Sequence, residues 1–177
     1  MLILDGSPAS PSRVAKLLST IAEQAEVQSC SISVVELATF GLPFNDPTYH
    51  LNPGEHPNEV VRKFVEAVQA ADIVVLGTPL YHGSYSGLLK SALDHLKDDA
   101  FAGKAVGLVS NSNNARNSMQ AAQELVLVAR TMKGRVSDCI IGTCHEDFGI
   151  KDEIFQVINP AIRDRITIFV KDLIAEV

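Results

Sequence analysis

Short apolar runs alternate with helix-period stripes along the whole of this chain, and that alternation constrains its fold more than any other feature. Apolar runs bounded by turn residues read as strands, and a helical pattern between successive runs is the signature of crossovers in a parallel sheet. Leu2-Ile3-Leu4 is the first strand. Ser12 then caps a helix with Val14, Leu17, Leu18, Ile21 and Ala25 on one face. Ser31 to Leu37 alternates as an edge strand, and residues 38–56, with three prolines and two glycines, form a long loop. Pro57 opens a second long helix with Val60, Val61, Phe64, Val65 and Val68 inward. Ile73 to Gly77 is a central strand, and Leu88, Leu89, Ala92, Leu93 and Leu96 stripe the next helix. Ala105 to Val109 is another buried strand, followed by the polar loop Ser110-Asn111-Ser112-Asn113-Asn114 and a helix from Met119 to Met132. Val136 to Gly142 gives the fifth strand, and Asn159-Pro160 starts the last helix.

Five strands with one helix per crossover predict an α/β fold: a flavodoxin-like three-layer sandwich with a five-stranded parallel sheet in the order 2-1-3-4-5. The whole chain, residues 1–177, forms one domain. In that order the first and third strands lie side by side at the switch point, where ligands bind beyond the strand ends. The turns after those two strands are Gly6-Ser7-Pro8-Ala9-Ser10-Pro11-Ser12-Arg13 and Thr78-Pro79-Leu80-Tyr81-His82-Gly83-Ser84-Tyr85-Ser86-Gly87.

In the first turn Gly6 permits a tight change of direction, and Ser7, Ser10 and Ser12 bring hydroxyls ahead of a helix N-terminus. Such an N-terminus attracts anions through free N–H groups and its dipole, and Arg13 adds a cation suited to phosphate. A capped loop without a ligand is the plainer alternative. No Gly-Lys-Ser/Thr is present, which argues against a nucleoside-triphosphate loop. In the second turn Pro79 fixes the strand exit and Tyr81 can lie against a flat ring. The amides from Leu80 through His82 and Gly83 to Ser84 can read the edge of a pyrimidine-like heterocycle. Tyr85 can close the site or face a neighbouring subunit, although both tyrosines also suit a half-buried core position. Together the turns describe a mononucleotide site, and a flavin is the ligand that fits.

The charge balance supports a small-molecule site. Fifteen basic against 21 acidic residues, with no basic cluster, argue against nucleic acid. No apolar stretch is long enough to span a bilayer, and the first residues lack a signal-peptide pattern. Three cysteines without metal-ligand spacing point to reduced thiols in the cytoplasm and to no metal site. No Ser/His/Asp set and no carboxylate pair stands out, so no catalytic side chain is assigned. The reactive atoms then belong to a cofactor.

These residues resemble the NADPH-dependent FMN reductase family. The family's phosphate loop, Gly-Ser-x-Arg-x-x-Ser with variants, is similar to Gly6 through Arg13. Its second motif, Thr-Pro-x-Tyr-x-x-Ser-x-x-Gly-x-Leu-Lys-x-x-Leu-Asp, is matched by Thr78, Pro79, Tyr81, Ser84, Gly87, Leu89, Lys90, Leu93 and Asp94. Within the family, Tyr85-Ser86-Gly87 looks most like the FMN reductases that serve alkanesulfonate monooxygenases, in which a tyrosine here forms a π-bulge at a tetramer interface. The resemblance implies FMN and NADPH (or NADH) as ligands, a homodimer or homotetramer, and reduced flavin passed to an acceptor or partner monooxygenase. It also implies that Ser7, Ser12 and Arg13 hold the phosphate, while Pro79, Leu80, Tyr81, His82, Gly83 and Ser84 line the isoalloxazine. Two departures stand out. Ala9 occupies a place where the family commonly has arginine, which implies either a weaker hold on phosphate or one that rests on Arg13. The third loop, with Ser110, Asn111 and Asn113, lacks the family's glycine pair, and Asn113 or Asn114 is expected to take a left-handed backbone in its place. A second reading keeps FMN bound and reduces a quinone, azo dye or metal oxyanion. A third, a non-catalytic flavodoxin-type electron carrier, fits less well because the chain has no Trp to sandwich the ring.

Overall fold

A computed structural model describes residues 1–177. Its strands and helices in chain order are β1 (Leu2–Asp5), α1 (Arg13–Val27), β2 (Ser33–Glu36), the single-turn α2 (Leu37–Phe40), α3 (Glu59–Ala70), β3 (Ile73–Pro79) and α4 (Gly87–Leu93). There follow β4 (Ala105–Asn111), α5 (Gln120–Thr131), β5 (Arg135–Val136), β6 (Ile141–Thr143), β7 (Phe148–Lys151), β8 (Ile154–Val157) and α6 (Pro160–Ala175). The main sheet is parallel with the order β2-β1-β3-β4-β5, so the predicted architecture and strand order hold.

The period of two along each strand sorts side chains into two cores. Leu2, Leu4, Val74, Leu76, Val106 and Leu108 face α3, α4 and α5, where Phe64, Leu89 and Leu125 meet them. Ile3, Ile73, Val75, Ala105 and Val109 face α1 and α6, against Leu17, Ile21 and Phe169. Every residue of β1, β3 and β4 is buried, which is why these strands read as unbroken apolar runs. The edge strand β2 buries only Val35 and so reads as an alternation.

Four local features differ from the sequence reading. Asn58, not Pro57, opens the second long helix: its side chain caps α3, which starts at Glu59. Leu37 opens α2 rather than ending β2. The fifth sheet position is shared by two short pieces: β5 pairs with the start of β4 and β6 with its end. Between them the Ser137 hydroxyl accepts from the Cys139 N–H at 3.2 Å, a local bond that competes with the ladder and lets the chain leave the sheet. Finally, β7 and β8 form an antiparallel hairpin that no periodicity marked. Its two-residue turn, Asp152-Glu153, has φ of 51° and 63°, the backbone of a primed hairpin turn without the usual Asn or Gly.

Candidate active site

Beyond the carboxyl ends of β1, β3 and β4 lies a cleft of about 240 Å³. The first turn contributes Ser7, Ala9, Pro11, Ser12, Arg13 and Val14, and the second contributes Pro79, Leu80 and Tyr81. Asn111 comes from the end of β4, Ser112 and Asn113 from the loop after it, and Phe155 from β8. Ser7, Ser12, Arg13, Pro79, Leu80, Tyr81, Asn111 and Asn113 are thus brought together as the sequence placed them. Ser10, His82, Gly83, Ser84, Tyr85 and Ser110 lie outside the wall of the cleft.

The first turn is shaped by its own hydrogen bonds. Ser7 N–H donates to Asp5 Oδ1 (2.9 Å), Ala9 N–H to the Ser7 hydroxyl (3.3 Å), and Ala15 N–H to the Ser12 hydroxyl (3.1 Å), which caps α1. The N–H groups of Arg13 and Val14 begin α1 and have no carbonyl one turn back to receive them. Arg13 is the only charged residue on the cleft wall. Its Nε is buried without an acceptor, and its Cζ lies 4.9 Å from the centre of the Phe155 ring. The guanidinium charge, with no carboxylate on the wall to neutralise it, makes this wall favour an anion.

Ser86 fastens the first turn to the second. Its hydroxyl donates to the Gly6 carbonyl (2.6 Å) and accepts from Leu89 N–H (3.1 Å), while its own N–H donates to Thr78 Oγ1 (2.9 Å). Capping at Ser86 starts α4 at Gly87, so Tyr85 lies outside the helix and packs, partly buried, against the core under α3, α4 and α5; no π-bulge forms there. Tyr81 and Ser84 exchange both backbone hydrogen bonds (2.8 and 3.0 Å) around His82 (φ 50°) and Gly83 (φ 87°). Leu80 N–H donates to the Asn111 carbonyl at 2.8 Å. Three of the five amides expected to read a ring edge are therefore engaged within the protein, which leaves those of His82 and Gly83. From α5, Gln120 Nε2 donates to the Gly83 carbonyl (2.7 Å) and the Ser84 hydroxyl donates to Glu124, which fixes the turn from behind.

The third loop is ordered by polar contacts. The Ser110 hydroxyl donates to the Ser118 carbonyl, Asn111 Nδ2 to Thr143 Oγ1 (3.1 Å), and Ser112 N–H to the Thr143 carbonyl (2.9 Å). Neither Asn113 nor Asn114 takes the left-handed backbone expected of a glycine substitute. Asn114 is extended at φ −133°, with its N–H held by the Ser112 hydroxyl at 3.0 Å. Ala9, Pro11, Val14, Ser112 and Phe155 are wall residues outside the set expected from the sequence; the first three belong to the first turn and the start of α1. A buried serine in a serine-rich loop carries no distinguishing signal, and Phe155 belongs to the unrecognised hairpin.

Beneath the first turn Asp5 is buried. Burial pushes its carboxyl up to about 6; the Ser7 N–H opposes the rise and the Glu36 carboxylate adds to it. Folded Asp5 holds its proton more tightly than the unfolded chain does. The stability it contributes is complete below about 3.8 and is lost as pH rises through about 6. Asp5→Asn keeps an oxygen for the Ser7 N–H. Its stability should match the parent's near pH 4 and exceed it near pH 7.5 by on the order of 2 kcal/mol. Thermal melts at the two pH values check this, and a variant less stable than the parent at the higher pH contradicts it.

Comparison with known proteins follows the same geometry. The family model described as NADPH-dependent FMN reductase matches residues 1–145. An FMN-dependent NADPH-azoreductase of Staphylococcus haemolyticus (strain JCSC1435) is 31% identical over 179 residues, covering 97% of this chain and 95% of its own. Among solved structures, an NADH:FMN oxidoreductase in its apo form superposes with a TM-score of 0.74 at 23% identity, over 97% of this chain and 88% of that one. A flavoenzyme NAD(P)H:(acceptor) oxidoreductase from Paracoccus denitrificans gives 0.77 at 17% identity, over 99% and 97%. These two likenesses speak for the fold. No helix is long and apolar enough to cross a membrane. The family match runs through all three turns that build the cleft, and on that ground the chain belongs to the NADPH-dependent FMN reductases, oxidoreductases that work with FMN and NADPH.

Proposed function

We propose that this protein reduces FMN with NADPH, the flavin lying in the cleft with its phosphate at the first turn and its ring along the second. Arg13 carries the reading: it is the one charge on the wall, with a buried Nε that lacks an acceptor, beside a capped helix N-terminus. In this arrangement the Ser7 and Ser12 hydroxyls and the Arg13 and Val14 N–H groups would join the guanidinium around the phosphate. Pro79, Leu80 and Tyr81 would flank the ring, and the unengaged amides of His82 and Gly83, which lie beyond the cleft wall, would meet only a ring edge that extends past it. Asn111 and Asn113 would close the side formed by the third loop. Ser84 and Ser110, whose hydroxyls are engaged within the protein, would act as frame. When bound, FMN supplies the hydride acceptor for the nicotinamide and the donor for the final acceptor. The chain's own part is to orient, to exclude water, and to hold N–H dipoles where negative charge develops.

Two fates of the electrons remain distinct. In the first, flavin is itself the substrate and leaves reduced, for a partner monooxygenase or another acceptor. The 31% identical azoreductase relatives support the second, in which FMN stays bound and an azo compound or quinone accepts. Steady-state NADPH oxidation under argon separates them. Saturable turnover with free FMN as the sole acceptor supports the first, whereas turnover only with an azo dye or benzoquinone, on FMN-loaded protein, supports the second. No turnover with any of these sinks both.

We propose further that a second copy of the chain docks on the face formed by α4, α5 and the loop at 44–51. A cavity of about 490 Å³ opens there, away from the strand carboxyl ends; Leu127 (74% exposed) lines it, and Phe44 (91%) and Leu51 (77%) adjoin Asn45 and His50 of its wall in sequence. Lys90, Lys97, Asp94 and Asp98 give the same face both signs of charge, which is compatible with a self-complementary two-fold contact. Sedimentation should show a dimer or larger for the parent and a monomer for Leu127→Glu. A monomeric parent contradicts the assignment.

A further inference from the structure

The β7–β8 hairpin lies beyond the residues matched by the family model, yet it supplies one wall of the cleft. We propose that Phe155 is a positioning residue for Arg13, and that the hairpin thereby sets the preference of the site for a phosphorylated flavin over riboflavin. This rests on the reading of the cleft as an FMN site with its phosphate at the first turn.

The hairpin is held as a rigid arm. At its base the buried Asp147 side chain accepts from Cys144 N–H (2.7 Å) and from Asn159 Nδ2 (2.6 Å), which ties the two ends together. Phe148 and Val157 are anchored in the core under α1 and α6, and Arg163 donates through Nε and Nη2 to the Val157 carbonyl. The Phe155 ring stands edge-to-face against Phe148, at 6.3 Å between centres and 72° between planes. Its exposed side carries the Arg13 guanidinium at 4.9 Å, a cation on the negative face of a π system.

That contact matters because of what Arg13 lacks. Nothing in the protein accepts from its Nε, and no carboxylate lines the cleft to hold the guanidinium by charge. Ala9, on the same wall, offers no second cation. An arginine has several rotatable bonds, and ordering it at the moment of binding costs affinity. The aromatic face orders it beforehand without neutralising it, so the full charge remains for the phosphate. Riboflavin shares the ring and ribityl chain of FMN but has no phosphate, so it is blind to this device.

Titration of flavin fluorescence with FMN and with riboflavin tests the proposal, using the parent, Phe155→Leu, Phe155→Tyr, and Phe155→Leu combined with Arg13→Ala. Phe155→Leu keeps the apolar bulk and removes the π face. It should weaken FMN about three- to tenfold and leave riboflavin within about twofold. Phe155→Tyr should keep the parent's ratio, and Phe155→Leu should cost nothing further once Arg13 is alanine. An equal loss for both flavins, or a loss that persists in the Arg13→Ala background, means that Phe155 only packs and overturns the proposal. A parent that binds riboflavin as tightly as FMN overturns the phosphate reading itself, and the proposal with it.

Discussion

Arg13→Ala should weaken FMN binding by about 10- to 100-fold while riboflavin affinity stays within about twofold. That range is what one or two charge-assisted hydrogen bonds to a phosphate are worth. The side chain starts α1 just after the Ser12 cap and is half-buried, so its loss removes little packing, and the melting temperature of the ligand-free variant should stay close to the parent's. Arg13→Lys should fall between, because a lysine keeps the charge but gives up the guanidinium's fork of N–H donors and its contact with the Phe155 ring. Parallel fluorescence titrations check all three proteins. Equal losses for FMN and riboflavin in Arg13→Ala would place the phosphate elsewhere.

Gly6→Ala is expected to be the most damaging single methyl group in the site. A Cβ at Gly6 would stand 2.8 Å from the Gly77 carbonyl oxygen and 2.8 Å from Leu89 Cβ. The first neighbour is strand backbone and the second is the root of a fully buried side chain, so neither can turn away. Relief requires the first turn to lift from β3, which breaks the Gly6 N–H bond to Gly77 (2.8 Å) and the Ser86 hydroxyl bond to Gly6. Overpacking of this kind costs about 3 kcal/mol, and FMN affinity should fall with it because both turns of the cleft lose their register. Denaturant unfolding and a flavin titration on the same preparation check the two effects. A variant that keeps both stability and affinity would show that the contact at Gly6 is slack.

The parts of this molecule that the sequence makes legible are those fixed by burial. Leu2-Ile3-Leu4, Ile73 to Gly77 and Ala105 to Val109 are covered on both faces and so are apolar throughout. Their order follows from the helices between them. The two turns at the switch point stand out because glycine, proline and hydroxyl residues crowd where the apolar runs stop. What escaped depends on contacts far apart in sequence. The occupied amides of Leu80, Tyr81 and Ser84 follow from partners at Asn111 and across a tight turn. The Ser110–Asn114 loop is ordered by Thr143 and by serine hydroxyls rather than by left-handed asparagines. Phe155 enters the cleft on a hairpin whose Asp152-Glu153 turn lacks the residues that ordinarily signal one.

If the cleft holds FMN in a position to be reduced by NADPH, mixing FMN-loaded protein with NADPH in the absence of oxygen should bleach the visible flavin absorbance at a rate that saturates with NADPH. The amplitude should be much lower in Arg13→Ala at limiting FMN. Protein that retains FMN yet shows no bleaching with either NADPH or NADH would contradict that placement.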